Sequence, residues 1–489
     1  MSATVIVPLW LLLLLLLSAL AGLWLIVIVP LLRGYWYRRR QASLRQLDEQ
    51  LEFGLSNYAL ARRSEWRDRL LNDPQVLKAI ESVVADGDES IDAVQARARR
   101  DADEIVPFFS TRLYFRFGYW VGRWLIRMMY WVQADFGDRQ GLAAIDRNSC
   151  VVLVSNHRSN IDPFLLIYLA SKRTAISYSA GEWALAWPLR YLLHAIGFYI
   201  IRRDGGGDRL YRTLVERYVY LAASRCVPQG LFLEGALSRN GEMQPLKLGL
   251  LNYVLKAHGQ GSCTDIVFVP VGLSYDRIPE DTTLVNLELK RFADKGRLYP
   301  LLSLGRFLVL MMPRMMGLGK PYGKVVVNFG SPLSLNDWQA ATGQSLIIAD
   351  ADRRRESVSN LGDALAQRIA ELIPVLPVAL LACVILTRGE EGISELRLKR
   401  DALALAESLR TESVNVALDV NAEDHLFSQA LYMLLKRGLV EVSGDGNIRL
   451  LGNARLLLEY YRNAIPAHLR LSPGYPAHAI SDKIRGASI

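Results

Sequence analysis

Cysteine and histidine are scarce in this chain, and their placement removes whole classes of chemistry. The four cysteines, Cys150, Cys226, Cys263 and Cys383, lie far apart and form no CxxC pair. Neither a disulfide framework nor a zinc site is expected, and a reducing compartment is the simpler setting. Six histidines occur, no two at metal-ligand spacing, so no metal is expected. The glycines Gly205-Gly206-Gly207 are followed by no GK[ST], which excludes a Walker phosphate loop. No internal repeat and no low-complexity linker is found. The first 32 residues contain no charged side chain.

What is present points to packed domains and an anionic partner. The 489 residues are 51% hydrophobic and 22% charged, enough for two or three domains with real cores. A formal charge of +9 favours lipid head groups, a phosphorylated substrate or nucleic acid. From Val5 to Leu32 the chain is apolar except for Ser18, longer than the ~20 residues a helix needs to cross a bilayer. Arg33, Arg38, Arg39, Arg40 and Arg45 follow, which places that flank in the cytoplasm. Ala19-Leu20-Ala21 resembles a signal-peptide cleavage site, but no basic n-region precedes it and the apolar run continues to Leu32. Residues 1–32 are therefore read as a retained transmembrane anchor, and Gly22 leaves a re-entrant hairpin open.

Residues 33–140 read as a helical, membrane-interfacial region, with a turn near Ala85-Asp86-Gly87-Asp88. Within it Arg112, Arg116, Arg123 and Arg127 share one helical face beside aromatic bulk. That pattern suits a helix at a membrane interface, or one packed on the neighbouring domain. Residues 141–345 alternate short apolar runs with helical ones. Candidate strands are Val151–Ser155, Ala175–Ser179, Phe198–Ile201, Leu231–Leu233, Ile266–Leu273 and Lys324–Asn328. An α/β domain follows, a mixed sheet flanked by helices with its chemistry beyond the carboxyl ends of strands. Residues 346–489 return to helix. The run Leu372–Thr387, with Pro374 and Pro377, is short for a span and reads as a buried helix. Helices over Glu395–Ser408 and Glu423–Lys436 precede a hairpin at Leu439–Val442 and Ile448–Leu451, a winged-helix-like part.

The densest cluster of reactive side chains is Ser155-Asn156-His157-Arg158-Ser159-Asn160-Ile161-Asp162-Pro163, directly after an apolar strand. Histidine has the side-chain pKa closest to working pH, and a carboxylate on its other nitrogen would fix the tautomer. The plainer reading makes Asp162 a helix N-cap before a proline and His157 an idle loop residue. Arg202-Arg203 end a strand at a glycine-rich loop and offer forked donors to a phosphate, or form a solvated turn. Glu234-Gly235-Ala236-Leu237-Ser238-Arg239 end another strand. Phe268-Val269-Pro270-Val271 carries a proline expected at a sheet edge or bulge.

These four blocks, in this order over about residues 125–335, resemble the glycerophospholipid acyltransferase superfamily with its HxxxxD motif. The nearest likeness is to bacterial glycerol-3-phosphate 1-acyltransferases. The "IIRR" run, Ser238-Arg239 with Gly241, Tyr322-Gly323-Lys324 and Leu458-Glu459-Tyr460-Tyr461-Arg462-Asn463 also support it. The resemblance implies His157 as base and Asp162 as its partner. It also implies a substrate site drawn from Arg158, Ser159, Arg202, Arg203, Glu234, Gly235, Ser238, Arg239 and Pro270.

The implied reaction moves a fatty acyl group from acyl-CoA or acyl carrier protein to the sn-1 hydroxyl of glycerol 3-phosphate. Its product is lysophosphatidic acid, made in the first step of phospholipid synthesis at the cytoplasmic face of the inner membrane. Beyond that thioester co-substrate no cofactor is implied, and the partners are membrane phospholipid and the two substrates. Leu237 stands where the family has an arginine, which keeps lysophosphatidate or dihydroxyacetone phosphate open as acceptor. A non-catalytic, membrane-tethered nucleic-acid-binding protein is the reading from another class. Glu423–Lys436 opens with two acids and makes a poor phosphate-binding face, so no nucleic acid is expected.

Overall fold

The computed structural model describes residues 63–471, except 88, 109–118, 171–175, 186–188, 203–206, 262, 289–321, 347–349, 389–390, 420 and 453. The expected anchor at 1–32, Arg112 and Arg116 of the basic stripe, and Arg203 lie outside the described residues. Among those described, no helix is long and apolar enough to cross a membrane.

The centre is a mixed eight-stranded sheet. Its strands are β1 (Trp131–Phe136), β2 (Ser149–Ser155), β3 (Ser177–Ala180), β4 (Tyr199–Ile200), β5 (Gln229–Phe232), β6 (Asp265–Tyr275), β7 (Lys324–Phe329) and β8 (Leu333–Ser334). They run in the order β1-β7-β6-β2-β5-β3-β4, with β8 beside β6. From β6 to β4 every pairing is parallel. The residues that follow β2, β5, β3 and β4 therefore emerge at one edge.

β2 is buried along its whole length, as a central parallel strand with helices on both faces must be. Its alternate residues feed two cores. Val151 and Leu153 pack on one face, Cys150, Val152 and Val154 on the other. The second face is covered by the N-terminal helices Arg63–Leu71, Pro74–Ala85 and Ile91–Ile105, and by Arg209–Ala223 and Ala351–Leu372. The first is covered by Asp162–Ala170 and by Pro377–Arg388, of which residues 377–387 are all buried. The run with two prolines is thus a core helix.

β6 carries the long-range geometry of the site. It pairs with β2 over Ser149–Ser155 and then runs on beside β7 to Tyr275. The side chain of Asn156 extends the β2 ladder beyond its end. Its amide nitrogen donates to Leu273 O at 2.9 Å, and its oxygen accepts from Leu273 N at 2.9 Å. In this way the last residues of β6 are held over the loop after β2.

Three sequence expectations are corrected. Pro270 lies on an interior strand, not at an edge or bulge. It falls between the stretch of β6 paired with β8 and the stretch paired with β7, where a missing N–H costs no ladder bond on that side. The region 33–140, expected to be helical, also holds a strand: the helix Tyr119–Met129 ends and Trp131 opens β1. That strand exists only through parallel pairing with β7, far along the chain. Of the two described arginines of the stripe, Arg127 donates to the Tyr168 hydroxyl at 2.9 Å, so its helix packs on Asp162–Ala170, one of the two readings left open for it. Lastly, Cys226 and Cys263 are joined by a disulfide, with Cα atoms 5.4 Å apart. They are 37 residues apart and meet because the loop after Arg209–Ala223 folds against the approach to β6.

The tail contains Glu395–Thr411 and Glu423–Lys436 and a second sheet of β9 (Ile393–Ser394), β10 (Val440–Val442) and β11 (Asn447–Leu450), ordered β10-β11-β9. Arg455–Arg462 then returns to the loop that follows β5. The chain passes so close there that a Cβ on Gly241, whose φ is +84°, would meet the Tyr460 carbonyl oxygen.

Candidate active site

His157 and Asp162 sit where β2 gives way to a tight loop and then to the helix Asp162–Ala170. His157 Nδ1 and Asp162 Oδ2 are 2.9 Å apart. The same Oδ2 accepts the backbone N–H groups of Arg158 at 2.7 Å and Ser159 at 2.9 Å. Oδ1 accepts the Tyr275 hydroxyl at 2.5 Å. The carboxylate is fully buried, and these four are its hydrogen-bond donors among the described residues. A capping aspartate would bond to amides ahead of it in the helix. Asp162 instead turns back onto the loop and the imidazole, which separates the two readings of this residue.

His157 is held by its ring and by its backbone. Its Nδ1 faces Asp162, its ring stacks on Phe232 with centroids 3.8 Å apart, and its backbone N–H donates to Glu234 Oε1 at 2.8 Å. Its carbonyl accepts from Ser238 N at 2.9 Å. Nε2 has no hydrogen bond from the described residues, and the side chain keeps 15% exposure. With Nδ1–H committed to Asp162, Nε2 is the free acceptor of the neutral ring.

The residues of the other blocks divide by what they touch. Glu234 is buried and spends both oxygens on backbone, His157 N and Gln244 N. Burial raises its pKa and those two amides oppose the rise. Ser159 Oγ donates to Glu280 at 2.8 Å. Ser238 Oγ donates to Glu242 O at 2.6 Å and accepts from Gly241 N at 3.0 Å. Arg158 is buried, and its guanidinium donates to the Gly241 carbonyl. Leu237 is half-buried and packs on the core.

Arg202 is forked by Glu104 at 2.7 and 2.5 Å and lies 3.2 Å from Asp101, both on the helix Ile91–Ile105. Its side chain is 38% exposed, and the bond to Glu104 raises its pKa. β4 stands three strands from β2, about 14 Å at ~4.8 Å per strand. Gly235 and Arg239 are exposed. The side chain of Lys247 runs over Gly235, whose φ of +61° and missing Cβ leave it room. Neither Arg239 nor Lys247 has a side-chain partner among the described residues. Both are free to meet an anion.

Sequence reading missed Asn156, Tyr275, Glu280 and Lys247. The first three act across β2 and β6, and no local spacing marks them. Lys247 had a local signal, since it lies eight residues after Arg239, in the segment that follows the third block.

Comparison with known proteins agrees with the four blocks. Residues 138–274 match the family model described as acyltransferase, and residues 314–486 that of the glycerol-3-phosphate acyltransferase C-terminal region. A glycerol-3-phosphate acyltransferase of Aeromonas hydrophila is 28% identical over 433 residues, covering 86% of this chain and 51% of its own. The mitochondrial glycerol-3-phosphate acyltransferase 1 of Rattus norvegicus is 26% identical over 412 residues, covering 73% and 48%. The chain thus spans about half the length of the curated relatives it matches. A solved 1-acyl-sn-glycerophosphate acyltransferase from Thermotoga maritima aligns at a TM-score of 0.30 and 16% identity, over 52% of this chain and 78% of that one. By the two family models and the curated relatives, the likeness to acyltransferases, and among them to bacterial glycerol-3-phosphate acyltransferases, holds beyond the motifs.

Proposed function

We propose that this chain is a glycerol-3-phosphate 1-O-acyltransferase acting at the cytoplasmic face of a membrane. The observation that carries the reading is the His157–Asp162 contact of 2.9 Å with Nε2 left open at the edge where parallel strands end. Nε2 takes the proton of the sn-1 hydroxyl as its oxygen attacks the carbonyl carbon of the acyl thioester. The tetrahedral intermediate collapses, the carbon–sulfur bond breaks, and the imidazolium returns the proton to the departing thiolate of CoA or carrier protein. The thioester is already an activated donor, so base and orientation suffice without a metal. The product is lysophosphatidic acid. The apolar segment 1–32 tethers the enzyme where that product partitions.

For the acceptor phosphate we assign Arg239 and Lys247, with Arg203 the remaining basic residue of the second block. They supply the charge that Leu237 cannot. Lys247→Gln should raise KM for glycerol 3-phosphate about tenfold or more, as loss of one charge-assisted bond would, and leave kcat within a few-fold. An unchanged KM in steady-state assays would remove Lys247 from the phosphate site.

The function itself is tested with the full chain in detergent, given a labelled acyl thioester and each of glycerol 3-phosphate, dihydroxyacetone phosphate and lysophosphatidate. Labelled lysophosphatidate formed from glycerol 3-phosphate is the expected result. Transfer to lysophosphatidate alone would overturn the assignment of acceptor, and no transfer to any of the three would overturn the reaction.

A further inference from the structure

The contact that fixes Asp162 from behind comes from the far end of β6. Tyr275 lies on the part of that strand that runs past Ser155, the last residue of β2. It is buried, and its hydroxyl donates to Asp162 Oδ1 at 2.5 Å, opposite the oxygen that faces His157. Burial and the neighbouring Asp162 push its phenol well above the ordinary range, so it remains an O–H donor. Its ring is braced against Tyr130, centroids 5.2 Å apart, and the Tyr130 hydroxyl is anchored on Arg277 O at 2.8 Å. Five residues on, Glu280 accepts from Ser159 Oγ at 2.8 Å and from the side chain of Asn160 at 3.2 Å. The segment after β6 thus grips the His157–Asp162 loop at two points.

We propose that Tyr275 is a positioning residue for acyl transfer: its hydroxyl locks the plane of the Asp162 carboxylate, and through it the direction of His157 Nε2. The proposal rests on His157 acting as the base. A carboxylate turns about its Cβ–Cγ bond, which would carry Oδ2 away from its three donors and Oδ1 away from Tyr275. The bond on Oδ1, from a ring wedged into the core, restrains the second oxygen and narrows the range of that rotation. Small errors in aim cost an enzyme much of its rate, because the base must meet the hydroxyl proton as the new bond forms.

Tyr275→Phe removes the oxygen and keeps the ring that packs on Tyr130. In the detergent assay we expect kcat to fall about 10–100-fold, with KM for both substrates within twofold of wild type. The decisive measurement is a double-mutant cycle with Asp162→Asn. If Tyr275 acts through Asp162, adding Tyr275→Phe to Asp162→Asn costs less than a further twofold. A general packing defect would cost the same factor in both backgrounds, lower the melting midpoint and raise both KM values, and would overturn the proposal. So would a Tyr275→Phe enzyme at wild-type speed. An inactive wild type is a different failure, since it removes the acyltransferase reading and this inference with it.

Discussion

Replacing His157 with alanine is expected to cut turnover about 10²–10⁴-fold, the typical worth of a general base. Binding should barely change. The described contacts of the imidazole are to Asp162 and Phe232, and its backbone bonds to Glu234 and Ser238 survive the substitution. The loop also keeps the two amide bonds from Arg158 and Ser159 to Asp162. An interaction made only as the proton moves lowers kcat and kcat/KM together and leaves KM alone. Steady-state kinetics of His157→Ala over a range of glycerol 3-phosphate concentrations checks this. Full activity in that variant would exclude His157 as the base.

The part of this site that is local in sequence is the part that was legible. His157 and Asp162 are five residues apart across one tight turn between a strand and a helix, so a short motif suffices to bring their side chains together. The unbroken apolar run of β2 and the helical runs around it are equally local, and their placement follows from the hydrophobic pattern. The support behind the motif was not legible. Asn156 to Leu273, Asp162 to Tyr275 and Ser159 to Glu280 each span well over a hundred residues and depend on β6 overrunning its neighbour.

The paired arginines show the opposite limit. Their sequence says only that a strong bidentate donor is available at a strand end, and a carboxylate satisfies it as well as a phosphate does. In the fold Arg202 meets Glu104, and it locks the N-terminal helices to the sheet. The cysteines fail for a related reason. Spacing rules find pairs that are close along the chain, whereas Cys226 and Cys263 are joined by the packing of a helix end against a strand.

The second large effect is on stability, at the seam between the α/β domain and the tail. Asp281 follows Glu280 and opens the helix Asp281–Glu288. Its Oδ2 accepts from Arg437 Nη2 at 2.5 Å and from the Tyr461 hydroxyl, on elements 156 and 180 residues away. The side chains of Asp281 and Arg437 are only 2% and 9% exposed. Asp281→Ala leaves a guanidinium buried without its counter-charge, and removal of one partner of such a pair costs about 3–5 kcal/mol. That is a large share of the ~5–15 kcal/mol by which a folded domain is held together. Thermal and denaturant unfolding of the variant should show an early loss of structure. The double change Asp281→Leu with Arg437→Met should recover much of it, because the desolvated charge is gone along with its partner. Activity should fall with the seam as well. Arg455–Arg462 and the residues after it carry Tyr460 against Gly241, and Asn463, which donates to Asn240 O at 2.9 Å. The tail thereby holds the turn whose Ser238 amide bonds His157 O, so loosening it frees the loop that aims the imidazole. A variant that unfolds like wild type would show instead that Arg437 finds water or another acceptor, and that the remaining contacts of the seam, Asn463 to Asn240 O among them, hold the two parts.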